Sequence, residues 1–243
     1  MSTFKIISSQ LSFFNTNLKE YFYILLPVII ISLIPVFIPL SFYYNATINN
    51  LFVPIVVIYY LLSIYFTIRA IVNIHRLVIL GENSNYHKLN KKIKDILKYS
   101  WVGFLMALIA FIPLLLSVVL PIIIDQPWFF LLTLIALAWF FLVYPFIGLN
   151  LPMAAIGKKV QVFKMFKMSK GFRLTLFLQS LILGITYWII HVLLTALWAY
   201  LYWRGSFLVD LVMAINILFQ TYFVAISISC LSKTYILWEE SFN

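Results

Sequence analysis

Residues 174–232 read LTLFLQSLILGITYWIIHVLLTALWAYLYWRGSFLVDLVMAINILFQTYFVAISISCLS. Only Arg204 and Asp210 are charged in this stretch, and the break Arg204-Gly205-Ser206 divides it into two apolar runs, Leu174–Tyr202 and Phe207–Ser232. Each run is long enough for a helix to cross a hydrocarbon core about 30 Å thick, which takes roughly 20 residues. Because a three-residue link forces neighbouring helices to run antiparallel, the stretch predicts a transmembrane hairpin. The first run exceeds one span, which predicts a tilt or a start outside the hydrocarbon.

Four more runs of the same kind precede it: Tyr21–Phe42, Leu51–Val72, Trp101–Ile124 and Trp128–Leu149. The reading is therefore an all-α fold, a polytopic transmembrane bundle of six helices forming one integral membrane domain over residues 1–243. Composition agrees, since 64% hydrophobic and 10% charged residues leave too little polar surface for a soluble globule. Trp101, Trp128, Trp198, Trp203 and Trp238 stand near run ends, where an amphipathic ring suits the headgroup level. The single cysteine, Cys230, excludes an internal disulfide and a cysteine-built metal site. Residues Met1 to Glu20 carry no long apolar core, so no cleaved signal peptide is expected.

Charge gives the direction. The links after runs one, three and five are short, whereas residues 73–100 and 150–173 are longer and basic. With six spans, sixteen of the 17 Lys and Arg residues fall on one side, and only Arg204 falls on the other. Basic short loops stay in the cytoplasm, which predicts both termini inside. Each hairpin is preceded by apolar residues at helical spacing among basic ones: Phe13, Phe14 and Leu18 with Lys19, then Leu89, Ile93, Ile96 and Leu97, then Val162, Phe163 and Phe166. These segments predict amphipathic helices at the cytoplasmic interface. Leu33-Ile34-Pro35 with Pro39 echoes Phe111-Ile112-Pro113 with Pro121, as repeated hairpins would, although apolar segments also resemble one another by composition.

Enzymes that work inside membranes carry legible motifs, and none is present. His75, His87 and His191 are scattered, so no paired-histidine metal site forms. Asp125 and Asp210 both sit near outer span ends, which gives no mid-membrane carboxylate pair; Asp210 suits a weak outer-face ion pair with Arg204. No phosphate-binding glycine loop occurs. Catalytic residues, metals and cofactors are therefore not expected, and neither is enzymatic activity.

His191 is the most informative polar residue, because it lies deep in the fifth run. Polar groups at that depth are costly and face the bundle interior. In an antiparallel hairpin His191 reaches the level of Asn216 and Gln220, and Ser227 continues their stripe. The cluster reads either as interhelical glue or as a substrate or proton site.

Arg69, Asn73 and Arg76 form a second stripe at the end of run two, read either as a helix end anchored in headgroups or as an anion site. The basic loops hold Lys88, Lys91, Lys92, Lys94 and Lys98, then Lys158, Lys159, Lys164, Lys167, Lys170 and Arg173. Such clusters attract anionic lipid at about 1 kcal/mol per residue near the surface. They can equally dock a protein partner, or simply satisfy topology. Since they are confined to short loops between spans, nucleic acid is not an expected partner.

Three features, Phe13-Phe14-Asn15 to Leu18 entering the first span, the turn Gly81-Glu82-Asn83-Ser84, and Leu151-Pro152-Met153 to Phe172-Arg173, taken in order, resemble the YciC-like family of small bacterial inner-membrane proteins. Within the last, Pro152, Met153, Met165, Met168, Ser169 and Leu174 follow the family pattern loosely. The resemblance implies a six-helix fold in the bacterial inner membrane with no defined biochemical activity, although this chain is richer in Phe, Tyr and Lys. The functional expectation is a non-enzymatic membrane protein that organises lipid or supports a complex. The alternative is a transport component, a small permease or the membrane subunit of an ABC-type exporter, with a polar site near His191.

Overall fold

The computed structural model describes residues 2–37, 49–82, 89–124, 147–160, 169–204 and 208–241, together with residues 135, 139, 143 and 162. Among the described residues all regular structure is helical. The elements are α1 (Thr3–Thr16), α2 (Leu18–Phe37), α3 (Asn49–Leu80), α4 (Leu89–Ile124), the short α5 (Asn150–Ala155), a 3-10 turn at Lys170–Phe172, α6 (Arg173–Trp203) and α7 (Val209–Glu240). Among the described residues four helices are long and apolar enough to cross a membrane: Leu18–Val36, Pro54–Leu80, Lys170–Trp203 and Val209–Glu240. The run expected at 128–149 lies almost wholly outside the described residues.

Several boundaries differ from the hydropathy reading. The second run was expected to end at Val72, but α3 continues to Leu80 and stops at Gly81, whose φ of 64° is the left-handed conformation of a helix terminator. Its 32 residues span roughly 48 Å, more than the hydrocarbon alone requires. The basic segment before the third run is not a separate helix either, since α4 runs unbroken from Leu89 to Ile124. Residues 150–155, expected to open a cytoplasmic loop, form a helix in which Leu151, Ala154 and Ala155 are buried.

The last helix is central, packing against α1, α2, α3, α5 and α6. It tolerates so many neighbours because Ala225, Ser229, Cys230, Ser232 and Thr234 bury small side chains that let other helices approach closely. On α1 the buried residues Thr3, Ile6, Gln10 and Phe14 fall at helical spacing on one face, and this face turns to α7 and α6. Asn17 separates α1 from α2 and donates from Nδ2 to Phe13 O at 2.9 Å. The Phe14 ring then packs against that of Tyr21 at 4.5 Å, tilted by 47°, and the Tyr21 hydroxyl meets Ser229 Oγ at 2.6 Å.

Packing concentrates where α3 and α7 end and α4 and α6 begin, here called the basic end. One cluster joins Val72, Tyr99, Met106 and Leu151; another joins Tyr21, Ile74, Leu77 and Ala225; a third joins Leu149, Leu176, Tyr235 and Trp238. Away from this end the exterior is apolar, with Ile58, Leu61 and Ile64 of α3 and Trp188 and Leu193 of α6 all exposed. Water would penalise such a surface, whereas lipid would not. Trp101 and Trp203 are exposed as a headgroup belt requires, but Trp238 is buried against Tyr235 and belongs to the core.

Candidate functional site

The structure brings His191, Asn216 and Gln220 together between α6 and α7. His191 Nδ1 lies 3.3 Å from both Asn216 Oδ1 and Gln220 Nε2, and Gln220 Nε2 donates to Asn216 Oδ1 at 3.3 Å. One imidazole nitrogen cannot donate to the first and accept from the second at once, so the bonds alternate within the cluster. Tyr187 covers the imidazole, its ring parallel within 7° at 5.6 Å, and stacks on Phe219 behind it. Ser227 is not part of this cluster; its hydroxyl donates to Phe223 O at 3.0 Å. Arg204 lies over the Tyr200 ring at 5.2 Å and makes no ion pair with Asp210, contrary to expectation.

At the basic end Arg76 is turned inward rather than toward headgroups. Its Nε and Nη2 donate to the two carboxylate oxygens of Glu82 at 2.8 and 2.7 Å, and Nη1 donates to Asp95 Oδ2 at 2.8 Å. The guanidinium fork matches one carboxylate bidentately and still reaches a second, so the end of α3 is tied to the start of α4. A longer bond from Nη1 to Ala155 O, at 3.3 Å, adds α5. Lys98 donates to Gly157 O at 2.8 Å, and Lys158 donates to Glu239 near the end of α7. That bond to a carboxylate holds the Lys158 ammonium proton and raises its pKa above the ordinary lysine value.

The remaining basic residues divide by exposure. Lys94, Lys159 and Lys170 are exposed, while Arg69 and Arg173 are half-buried and engaged in contacts. Lys91 and Lys92 lie in the first turn of α4, with side chains outside the described part; Lys164 and Lys167 lie outside the described residues altogether.

Just beneath this network is a partly open cavity of about 450 Å³. Its wall is largely apolar and includes Leu151, Leu183, Tyr187, Phe223 and Leu231. Two buried polar side chains contribute, His75 and Gln179. Gln179 is engaged, its Oε1 accepting from Thr234 at 2.9 Å. His75 is fully buried, with Nδ1 2.7 Å from Ser232 Oγ, its ring 5.7 Å from that of Tyr99, and Nε2 without a hydrogen-bond partner in the protein. A mainly apolar pocket of this size with few polar groups has the ordinary character of a small-molecule site. A smaller cavity of about 180 Å³, lined partly by Gln220 and Thr221, lies toward α2.

Sequence reasoning missed His75, Gln179, Glu82 and Asp95 as site residues. For His75 a signal existed: the apolar run continues past Arg76 as Leu77-Val78-Ile79-Leu80 and ends in Gly81, which marks helix to that point. Asp95 carried no local signal, because its partner Arg76 is 19 residues away; Glu82 is only six residues from Arg76 but stands past the glycine that ends the helix.

Among the described residues, fold and site together define a helical bundle with four helices fit to cross a membrane. No family model, curated protein or solved structure matches the chain.

Proposed function

We propose that this is a non-enzymatic, multi-pass protein of a bacterial inner membrane that holds lipid or a protein partner, with its basic end in the cytoplasm. The observation that carries the reading is the apolar character of the 450 Å³ cavity, lying directly under the polar network of the basic end. An apolar chamber at the edge of a bundle suits a lipid tail. The exposed Lys94, Lys159 and Lys170 suit anionic headgroups or an acidic partner surface beside it. The YciC-like resemblance belongs to the same proposal and adds only the six-helix, inner-membrane expectation.

A transport path would need polar groups free to exchange partners with a substrate. The polar atoms of His191, Asn216 and Gln220 instead bond one another, and neither His191 nor Asn216 lines the large cavity. The test is extraction of the full chain from native membrane in polymer nanodiscs, with mass spectrometry of everything retained. Retained anionic lipid or a stoichiometric protein supports the proposal. A protein that carries neither, yet drives solute flux after reconstitution in liposomes, replaces it with the transport reading.

A further inference from the structure

We propose that the groove between α4 and the chain following α5 holds the headgroup of an anionic phospholipid, with Lys98 and Lys159 against its phosphate and its acyl chains along α4. The inference rests on the lipid-holding reading above. It specifies the lipid class and places the headgroup in a groove that shares no residue with the 450 Å³ cavity.

The groove is partly open, with a volume of about 440 Å³. One wall is a single face of α4, where Lys98, Trp101 and Leu105 follow at helical spacing. Lys159 and Val162 stand on the other wall. Polarity falls along α4 in the order in which a phospholipid presents its parts. At 1.5 Å of rise per residue, Trp101 lies roughly 4.5 Å along the helix from Lys98, and Leu105 roughly 10.5 Å. The interfacial layer of one leaflet is roughly 5–8 Å deep. With the exposed Trp101 ring in that layer, Lys98 reaches the phosphates and Leu105 the acyl chains.

Charge decides the class. Lys98 Nζ donates to Gly157 O at 2.8 Å and to Lys158 O, the carbonyl of the peptide that leads into Lys159. Both acceptors are neutral, so these bonds hold the ammonium in place without cancelling its charge, and among the described residues its third N–H has no acceptor. Lys159 is exposed and bonds no described residue. None of the residues lining the groove is Asp or Glu. Asp95, close to Gly157, accepts from Arg76 and pairs with neither lysine. An anionic headgroup therefore meets two positive charges, whereas the ammonium of an ethanolamine headgroup would face them with no carboxylate of its own. An acidic peptide would satisfy the lysines and leave Leu105 and Val162 uncovered; a phospholipid serves both ends of the groove.

The test uses the full chain in phosphatidylcholine nanodiscs carrying a minor fraction of phosphatidylglycerol or phosphatidylethanolamine, each with a diazirine high on one acyl chain. Photolabelling is mapped to peptides covering Trp101 to Leu105 and Val162. Phosphatidylglycerol is expected to label them about tenfold more than phosphatidylethanolamine. Lys98→Gln and Lys159→Gln are each expected to cut that labelling roughly threefold to fivefold, and the double variant to equalise the two lipids. Lys5→Gln removes the same charge from the exposed surface of α1 and is expected to leave the ratio unchanged. Lys98→Gln also loses its bonds to the loop. Should it misfold, Lys159→Gln and Lys159→Glu still decide, the latter being expected to abolish the preference. Equal labelling by the two lipids, or labelling indifferent to Lys159→Gln, overturns the proposal. An acidic protein retained from native membrane by the unaltered chain and lost from Lys159→Gln also overturns it, assigning the groove to a partner. Lipid retained from native membrane in any of these cases leaves the broader lipid-holding reading standing; a chain that retains neither lipid nor partner removes both.

Discussion

Arg76 Nη1 donates to Asp95 Oδ2 at 2.8 Å, a bond that joins the end of α3 to the start of α4. The Arg76 side chain is 16% exposed and its partners Asp95 and Glu82 are 21% and 38% exposed, so water replaces a lost partner poorly at Asp95 and better at Glu82. Arg76→Gln strips both carboxylates of a charged donor and is expected to cost about 2–3 kcal/mol. Asp95→Asn should cost about 1–2 kcal/mol. Glu82→Gln should stay under about 1 kcal/mol. Thermal unfolding of the three variants in detergent checks the order.

The loop after α5 turns at Gly157, whose φ of 80° is left-handed, and a Cβ there would lie 3.2 Å from Asp95 Oδ1. Gly157→Ala therefore meets backbone strain and crowds a carboxylate already held by Arg76. A loss of about 1–2 kcal/mol is expected from the backbone alone. Gly184→Ala is the opposite case: it sits inside α6 with open space around the new methyl. There the lower helix propensity of glycine predicts a gain of roughly 0.5–1 kcal/mol. Melting temperatures of the two variants should move in opposite directions.

Lys158 and Glu239 link the same loop to the end of α7. Because pairing raises the folded pKa of Lys158, its stabilisation is fully present below the unfolded lysine value of about 10.4 and is lost as pH rises through the folded value. Lys158 is 45% exposed, so the contribution is small, under about 1 kcal/mol. The stability difference between the unaltered chain and Lys158→Met should be flat from pH 7 to about 10 and then shrink. It should also shrink with added salt, as an exposed pair does.

What hydropathy could show was transfer out of water. It located the apolar cores of α2, α3, α6 and α7, but it set the end of the second span where Arg69, Asn73 and Arg76 made the segment look aqueous. The helix runs on because Arg76 finds Glu82 and Asp95 and because Ile74, His75 and Leu77 are buried among other helices. Asp95 is a tertiary partner, 19 residues away, that no local pattern encodes, whereas Glu82 stands six residues from Arg76, just past the helix end. Burial of α5 was hidden for the same reason, since the polar segment that follows it, Gly157-Lys158-Lys159, dominates the local charge. The meeting of His191 with Asn216 and Gln220, by contrast, depends on register across one short antiparallel link, and register can be counted.

That cluster also sets an order among its own variants. Asn216 Oδ1 is the common acceptor, 3.3 Å from His191 Nδ1 and from Gln220 Nε2, whereas removing the imidazole leaves the Asn216–Gln220 bond in place. Interhelical polar contacts in membrane bundles average about 0.6 kcal/mol. His191→Leu should therefore cost about that much, and Asn216→Leu roughly twice as much, because it orphans two groups. His191→Gln offers an amide in place of the imidazole and should keep both stability and abundance near those of the unaltered chain. If His191 carried protons for a transported solute, His191→Gln would leave the melting temperature unchanged yet abolish flux in liposomes. Structural glue moves the melting temperature of the leucine variants and leaves no pH-dependent flux to abolish, so melting and flux measured on the same three variants separate the two roles.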